Sequence, residues 1–173
     1  MDEAALENLT MAWFRDLGYQ TAFGPDILDE RGDVTEVILW KRFEAALGRI
    51  NPGVPAPLLN QAIRQFKMSL TEEADQIRCN RQFQTMLIEG IPIQQREDAS
   101  TKTVIVKLVD RYNPDANDWL AVNQVEVWNE SNHRIPDIVV YLNGLPISVF
   151  ELKTFANEAV SYTHLTLPTI YSV

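Results

Sequence analysis

The sequence predicts an α/β fold. A helical spacing of apolar residues runs through the first ninety positions, the spacing changes to two after Gly90, and two apolar runs flank an Asn-Gly turn between Pro136 and Lys153. The sheet expected from this is mixed, mostly antiparallel and four- or five-stranded, with helices on both sides. A helical insertion is expected from about Val34 to Glu89.

Residues 2 to 17 carry Leu6, Leu9, Trp13 and Leu17 at helical spacing, with Gly18 as a stop. Tyr19 to Leu28 reads as a short extended piece, and Val34 to Leu47 as a helix closed by Gly48. Three prolines between Asn51 and Pro57 forbid helix and central strand alike, so this stretch is a loop. Leu58 to Met68 and Glu72 to Glu89 are amphipathic helices. Beyond Gly90, Thr103–Val109, Trp119–Trp128, Pro136–Leu142 and Pro146–Lys153 read as strands by β-branched content and alternation.

A chain of 173 residues makes one domain, or one plus a fragment, and buries roughly 70% of its unfolded surface without a covalent staple. The single cysteine, Cys79, excludes an internal disulfide framework and a multi-cysteine zinc site. No stretch approaches a membrane span, and the acidic opening MDEAALENL is unlike a signal peptide, so a cytoplasmic protein without membrane contact is expected. Net charge is −9, of which Met1–Glu36 contributes −7: nine acids stand there against Arg15 and Arg31. Phosphate neutralisation supplies most nucleic-acid affinity, so any such role must borrow its grip from a partner. The last stretch, SYTHLTLPTIYSV, has no helical period and no charge apart from His164; residues 159–173 read as a foreign or disordered tail.

Chemistry concentrates in RIPDIVVYLNGLPISVFELK, Arg134 to Lys153. The charged groups within its apolar runs are Asp137, Glu151 and Lys153, and charges there are costly to desolvate unless paired or bound to metal. Glu151 and Lys153 stand two apart, on one face of a strand. Two carboxylates suit a hard cation such as Mg2+, with the backbone carbonyl of Leu152 available as a further oxygen. A strict two-residue turn at Asn143-Gly144 would set Asp137 opposite Phe150. Sharing an ion between Asp137 and Glu151 therefore requires an odd-numbered loop or a bulge.

Three segments, NRQFQTMLIEGIPI (Asn80–Ile93), NPDANDWLAVNQVEV (Asn113–Val127) and RIPDIVVYLNGLPISVFELK, together with the opening ALENLTMAWFRDLGYQTAFGPDI (Ala5–Ile27), carry a family likeness. In order and spacing the chain resembles the N-terminal nuclease domain of the restriction subunit of type I restriction–modification enzymes. The resemblance covers nearly everything before about Glu158. It implies a restriction-endonuclease-like PD-(D/E)xK core over residues 1–158 that cleaves double-stranded DNA with Mg2+. Asp137 and Glu151 would hold the metal, and Lys153 would orient the attacking water and stabilise charge developing on the phosphate. Glu7 matches a position where related nucleases place another acid near the metal, although on the helix pattern alone it falls on a solvated face.

The resemblance also implies partners, the methyltransferase and specificity subunits, and a dependence on ATP in the complete family enzyme. Family members continue past the lysine into a helix with Gln-x-x-x-Tyr and then a translocase. No such pair follows Lys153, and GxxxxGK[ST] is missing from the chain. The chain is therefore expected to be a truncated fragment with little or no activity alone. The competing expectation is a non-catalytic module that docks onto the other subunits.

Other residues carry less. His133 and His164 lack metal-spaced partners, and Cys79 reads as inert. Arg64, Lys67, Arg78 and Arg81 read as soluble helix surface, and Trp13, Trp40, Trp119 and Trp128 as core. Asp118, Asn123 and Gln124 fall in matched family segments, and the sequence yields no role for them.

Overall fold

The computed structural model describes residues 2–71, 75–97, 100–129 and 132–153. In chain order the elements are α1 (Glu3–Asp16), β1 (Gln20–Phe23), a 3-10 turn (Gly24–Ile27), α2 (Leu28–Arg31), α3 (Trp40–Ile50), α4 (Ala56–Thr71) and α5 (Gln76–Glu89). There follow β2 (Ile91–Glu97), β3 (Ser100–Val106), a 3-10 turn (Pro114–Ala116), β4 (Trp119–Asn123), β5 (Val127–Asn129), β6 (Asn132–Arg134), β7 (Ile138–Leu142) and β8 (Leu145–Phe150). The tail expected at 159–173 lies outside the described residues, as do residues 72–74 of the helix expected from Glu72.

The described residues form two compact units, one from 2–40 with 119–153 and the other from 41–118. The first holds a four-stranded sheet ordered β1-β4-β7-β8, in which β1 runs parallel to β4 and the other neighbours are antiparallel. This is the mixed α/β sheet the sequence predicts. One face packs Ala121, Ile138 and Phe150 against Met11 and Phe14 of α1. The other packs Leu120, Val122, Val139, Tyr141 and Val149 against Ile27, Leu39 and Val125.

The α1 helix starts where the Asp2 side chain accepts from Ala5 N at 2.8 Å, satisfying one of the free amides of the first turn. Its predicted apolar stripe faces outward: Trp13 is 56% and Leu17 73% exposed. Met11 and Phe14 face the sheet instead, and Glu7 stands one turn earlier on that inner side.

The helix expected from Val34 begins only at Trp40. Backbone groups before it are already engaged elsewhere: Arg31 takes the Val34 and Glu36 carbonyls, Trp128 N donates to Val34 O, and Leu39 N donates to Gly144 O. The strand expected over Trp119–Trp128 is broken after Asn123, because Gln124 adopts a left-handed φ of 56°.

In the second unit, α4 and α5 meet through Phe66 and Phe83, and Phe43 of α3 joins them. Asn51 closes α3 by donating to Leu47 O while its side-chain oxygen accepts from Lys107 N, so α3 runs past Gly48. Strand β2, which the sequence reading missed, pairs antiparallel with β3, burying Ile91, Ile93 and Val106. Asp118 pairs with Arg42 at 2.8 Å, which gives that acid a structural partner.

Candidate active site

The β7–β8 hairpin decides the geometry. Asn143 and Gly144 take φ values of 53° and 80°, the left-handed pair a tight two-residue hairpin turn requires. Leu142 pairs with Leu145 and Tyr141 with Pro146, but Val140 pairs with Ser148, leaving Ile147 as a one-residue bulge. Pro146, which has no N–H to give, stands beside it. The extra residue advances the register, so the last pair is Ile138 with Phe150. Asp137 and Glu151 each stand one position beyond that pair. Turn and bulge thus occur together, and the bulge supplies the offset that a two-residue turn alone would deny.

Alternation along the strands assigns the faces. Ile138 and Phe150 pack on the α1 side, Val139 and Val149 on the other. Asp137 and Glu151 lie just past the strand ends, with Lys153 two residues on; continued alternation would set all three on the side of Val139 and Val149. Asp137 is half-buried, and Leu152 N donates to its Oδ2 at 2.5 Å. A charged acceptor strengthens that bond and ties the acid to the backbone between Glu151 and Lys153. Glu151 and Lys153 are exposed.

Glu7 is not a solvated surface acid. It is half-buried; Asn123 Nδ2 donates to its Oε1 at 2.6 Å and Gln124 Nε2 to its Oε2 at 2.8 Å. An ionised carboxylate only accepts, so both amides must present their nitrogens to it. Gln124 also turns toward the aspartate, its backbone N–H donating to Asp137 O at 3.2 Å. The signal for Asn123 and Gln124 was present as two adjacent amides at the end of an apolar strand, but only the fold shows which acid they meet.

Among the described residues, no three or more His, Cys, Asp or Glu side chains gather into a group able to hold a metal. The donor chemistry at Asp137 and Glu151 nonetheless fits a hard cation. Mg2+ is habitually held by one or two carboxylates, with waters and substrate phosphate completing its shell.

The remaining candidates resolve as follows. His133 Nε2 meets Glu126 Oε1 at 2.8 Å and its ring stacks on Trp128 at 4.3 Å, so it is partnered rather than simply solvated. Trp13 and Trp128 are exposed, against the expectation of core, because the sheet uses the opposite side of α1 and because β5 pairs only with the short β6. Cys79 is buried in α5. No helix among the described residues is long and apolar enough to cross a membrane.

The chain is 30% identical over 165 residues to the type I restriction enzyme HindI endonuclease subunit of Haemophilus influenzae, a match over 92% of this chain and 16% of that protein. It is 32% identical over 160 residues to the putative type I restriction enzyme MjaIXP endonuclease subunit of Methanocaldococcus jannaschii, over 88% of this chain and 15% of that one. The chain therefore spans about one-sixth of the length of these relatives. The family model for the type I restriction enzyme R protein N terminus matches residues 1–164, and the chain belongs to that family.

Proposed function

We propose that this chain is the DNA-cleaving part of a type I restriction enzyme, hydrolysing phosphodiester bonds of double-stranded DNA with Asp137, Glu151 and Lys153 as its site. The observation that carries the reading is the bulge at Ile147. It leaves Asp137 and Glu151 each one position beyond the same final pair of the hairpin, Ile138 with Phe150, and Lys153 follows two residues on. The relatives' names as endonuclease subunits support the reaction class.

Asp137 and Glu151 would hold Mg2+, with the Leu152 carbonyl as a further oxygen. When bound there, the ion supplies Lewis-acid polarisation of the scissile phosphate. Asp137 is kept in place by the Leu152 N–H, which leaves lone pairs on both its oxygens for a cation. Lys153, on the same side as Glu151, is free to reach solvent and to place its ammonium against the attacked phosphate, where negative charge grows. ATP-driven movement on DNA and sequence recognition would belong to other parts of the subunit and to methyltransferase and specificity partners.

The test is Lys153→Ala in a motor-bearing subunit assembled with its partners. Cleavage is expected to fall by about 10²- to 10³-fold, the usual cost of removing a charge-stabilising donor, while assembly and ATP hydrolysis persist. Unchanged cleavage with intact assembly would leave only a docking module.

A further inference from the structure

The contacts around Glu7 form a relay rather than a third arm of an ion site. Both of its oxygens are engaged by side-chain amides, at 2.6 and 2.8 Å. It reaches the sheet from α1, on the side of Ile138 and Phe150, and among the described residues Glu7, Asp137 and Glu151 do not gather into a group able to hold a metal. What Glu7 does touch is a strained turn. Gln124 holds a φ of 56°, a region that non-glycine residues rarely enter and that clusters at functional sites. Gly24 is pressed against the same peptide: a Cβ there would lie 2.1 Å from the Gln124 carbonyl oxygen, so only glycine fits. The Gln124 N–H then donates to Asp137 O, and Asp137 Oδ2 accepts from Leu152 N.

We propose that Glu7 is a positioning residue, not a metal ligand: its carboxylate clamps Asn123 and Gln124, and the clamped turn fixes Asp137. Glu7 acts through Gln124, whose side chain meets the helix and whose backbone meets the aspartate. This rests on reading Asp137 as the site acid. Outer partners of this kind typically change metal affinity by 10- to 100-fold when removed, without touching the ion.

Amide hydrogen exchange on the metal-free 173-residue chain reads the relay directly. In Glu7→Ala, exchange at Gln124 and Leu152 should quicken by about tenfold or more, with mid-strand Ala121 and Val140 unchanged. Glu7→Gln, which preserves shape and keeps one acceptor, should quicken the same two amides less. Titration with Mn2+ separates relay from ligand. Glu7→Ala should weaken binding about tenfold in the native background. It should add nothing further in a background of Asn123→Ala with Gln124→Gly, the glycine accepting the left-handed turn without strain.

Unchanged exchange at Gln124 and Leu152 in both Glu7 variants overturns the proposal. So does an equal loss of Mn2+ affinity in the two backgrounds, which would make Glu7 a ligand. Quickened exchange at those two amides in a chain whose Mn2+ titration ignores Asp137→Asn would uphold the relay and sink the nuclease reading instead.

Discussion

Arg31 is 3% exposed, and its guanidinium donates to three backbone carbonyls: Glu36 O at 2.6 Å, Glu126 O at 2.6 Å and Val34 O at 2.7 Å. Burial lowers its pKa from the ordinary arginine value. The planar fork suits three divergent acceptors, whereas a lysine ammonium is a point charge on a flexible stem. Arg31→Lys should leave carbonyls unmatched and cost about 2–4 kcal/mol in urea unfolding, since hydrogen bonds to charged groups are worth about 1.5–3 kcal/mol each. Tyr141, a core residue of β7, responds to pH. Burial pushes its phenol up to about 12, against a smaller opposite pull from Arg31. Unfolded, the group releases its proton near 10, so between those values the folded chain holds a proton that the unfolded chain lacks. Its contribution is complete below about pH 10 and is lost as pH rises toward 12, by about 2–3 kcal/mol in all. Denaturant midpoints measured from pH 9 to 12 should fall less steeply in Tyr141→Phe than in the parent chain. Neither residue is legible as special in the sequence: Arg31 is closed in by Glu126, ninety-five residues on, as well as by its neighbours Val34 and Glu36, and Tyr141 by a core drawn from several segments.

At the scale of elements, what the sequence discloses depends on whether the information is local. The Asn143-Gly144 turn, its two apolar strands and the choice between an odd-numbered loop and a bulge can be read from one stretch of twenty residues; the hairpin takes the two-residue turn with a bulge. The helix over Glu3–Asp16 is equally plain, but its inward side is not. Leu6, Leu9, Trp13 and Leu17 make the better stripe on paper; the sheet presents Ala121, Ile138 and Phe150, against which Met11 and Phe14 fit. With the wrong side taken as buried, Glu7 appears solvated and its amide partners have no assigned purpose. The start of α3 was hidden for a related reason: the backbone of Val34–Leu39 is claimed by Arg31, Trp128 and Gly144, which no local pattern reveals. Strand β2 was missed because Pro92 and the polar run after Ile93 dilute its alternation, while pairing with β3 supplies its order. The orientation of α1 is testable by unfolding. Met11→Ala should cost about 2–4 kcal/mol, as for other buried methionines. Leu17→Ala, on a residue 73% exposed, should stay within about 0.5 kcal/mol. Reversed magnitudes would mean that α1 turns its predicted stripe inward and that Glu7 is carried away from Asn123.

Across the whole molecule the charge is unevenly divided. The segment Lys41–Asp118 contains eleven of the fifteen lysines and arginines and ten of the twenty-four acids, a net of +1; the remainder, which holds Asp137, Glu151 and Lys153, is −10. A unit so acidic repels the phosphate backbone it is proposed to cut, and neutralised phosphates are what give DNA binding its strength and its salt dependence. Divalent cations held by the two proposed carboxylates would reduce that repulsion locally but would not supply a grip along a duplex. The chain covers about one-sixth of the length of its relatives, and under the proposed function the grip on DNA would come from outside these residues. Two outcomes are expected from fluorescence anisotropy with a labelled duplex of about 20 base pairs. At physiological salt and with Mg2+ present, the chain alone should bind no tighter than about 10 μM, within the range of non-specific association. Lowering the salt to about 50 mM should strengthen binding only slightly, because a slope near −0.9 per phosphate neutralised requires cations, and the acidic unit sets four lysines and arginines against fourteen acids. Submicromolar affinity with a steep salt slope would place a complete DNA-binding surface on these residues, and the division of labour argued from charge would have to be abandoned.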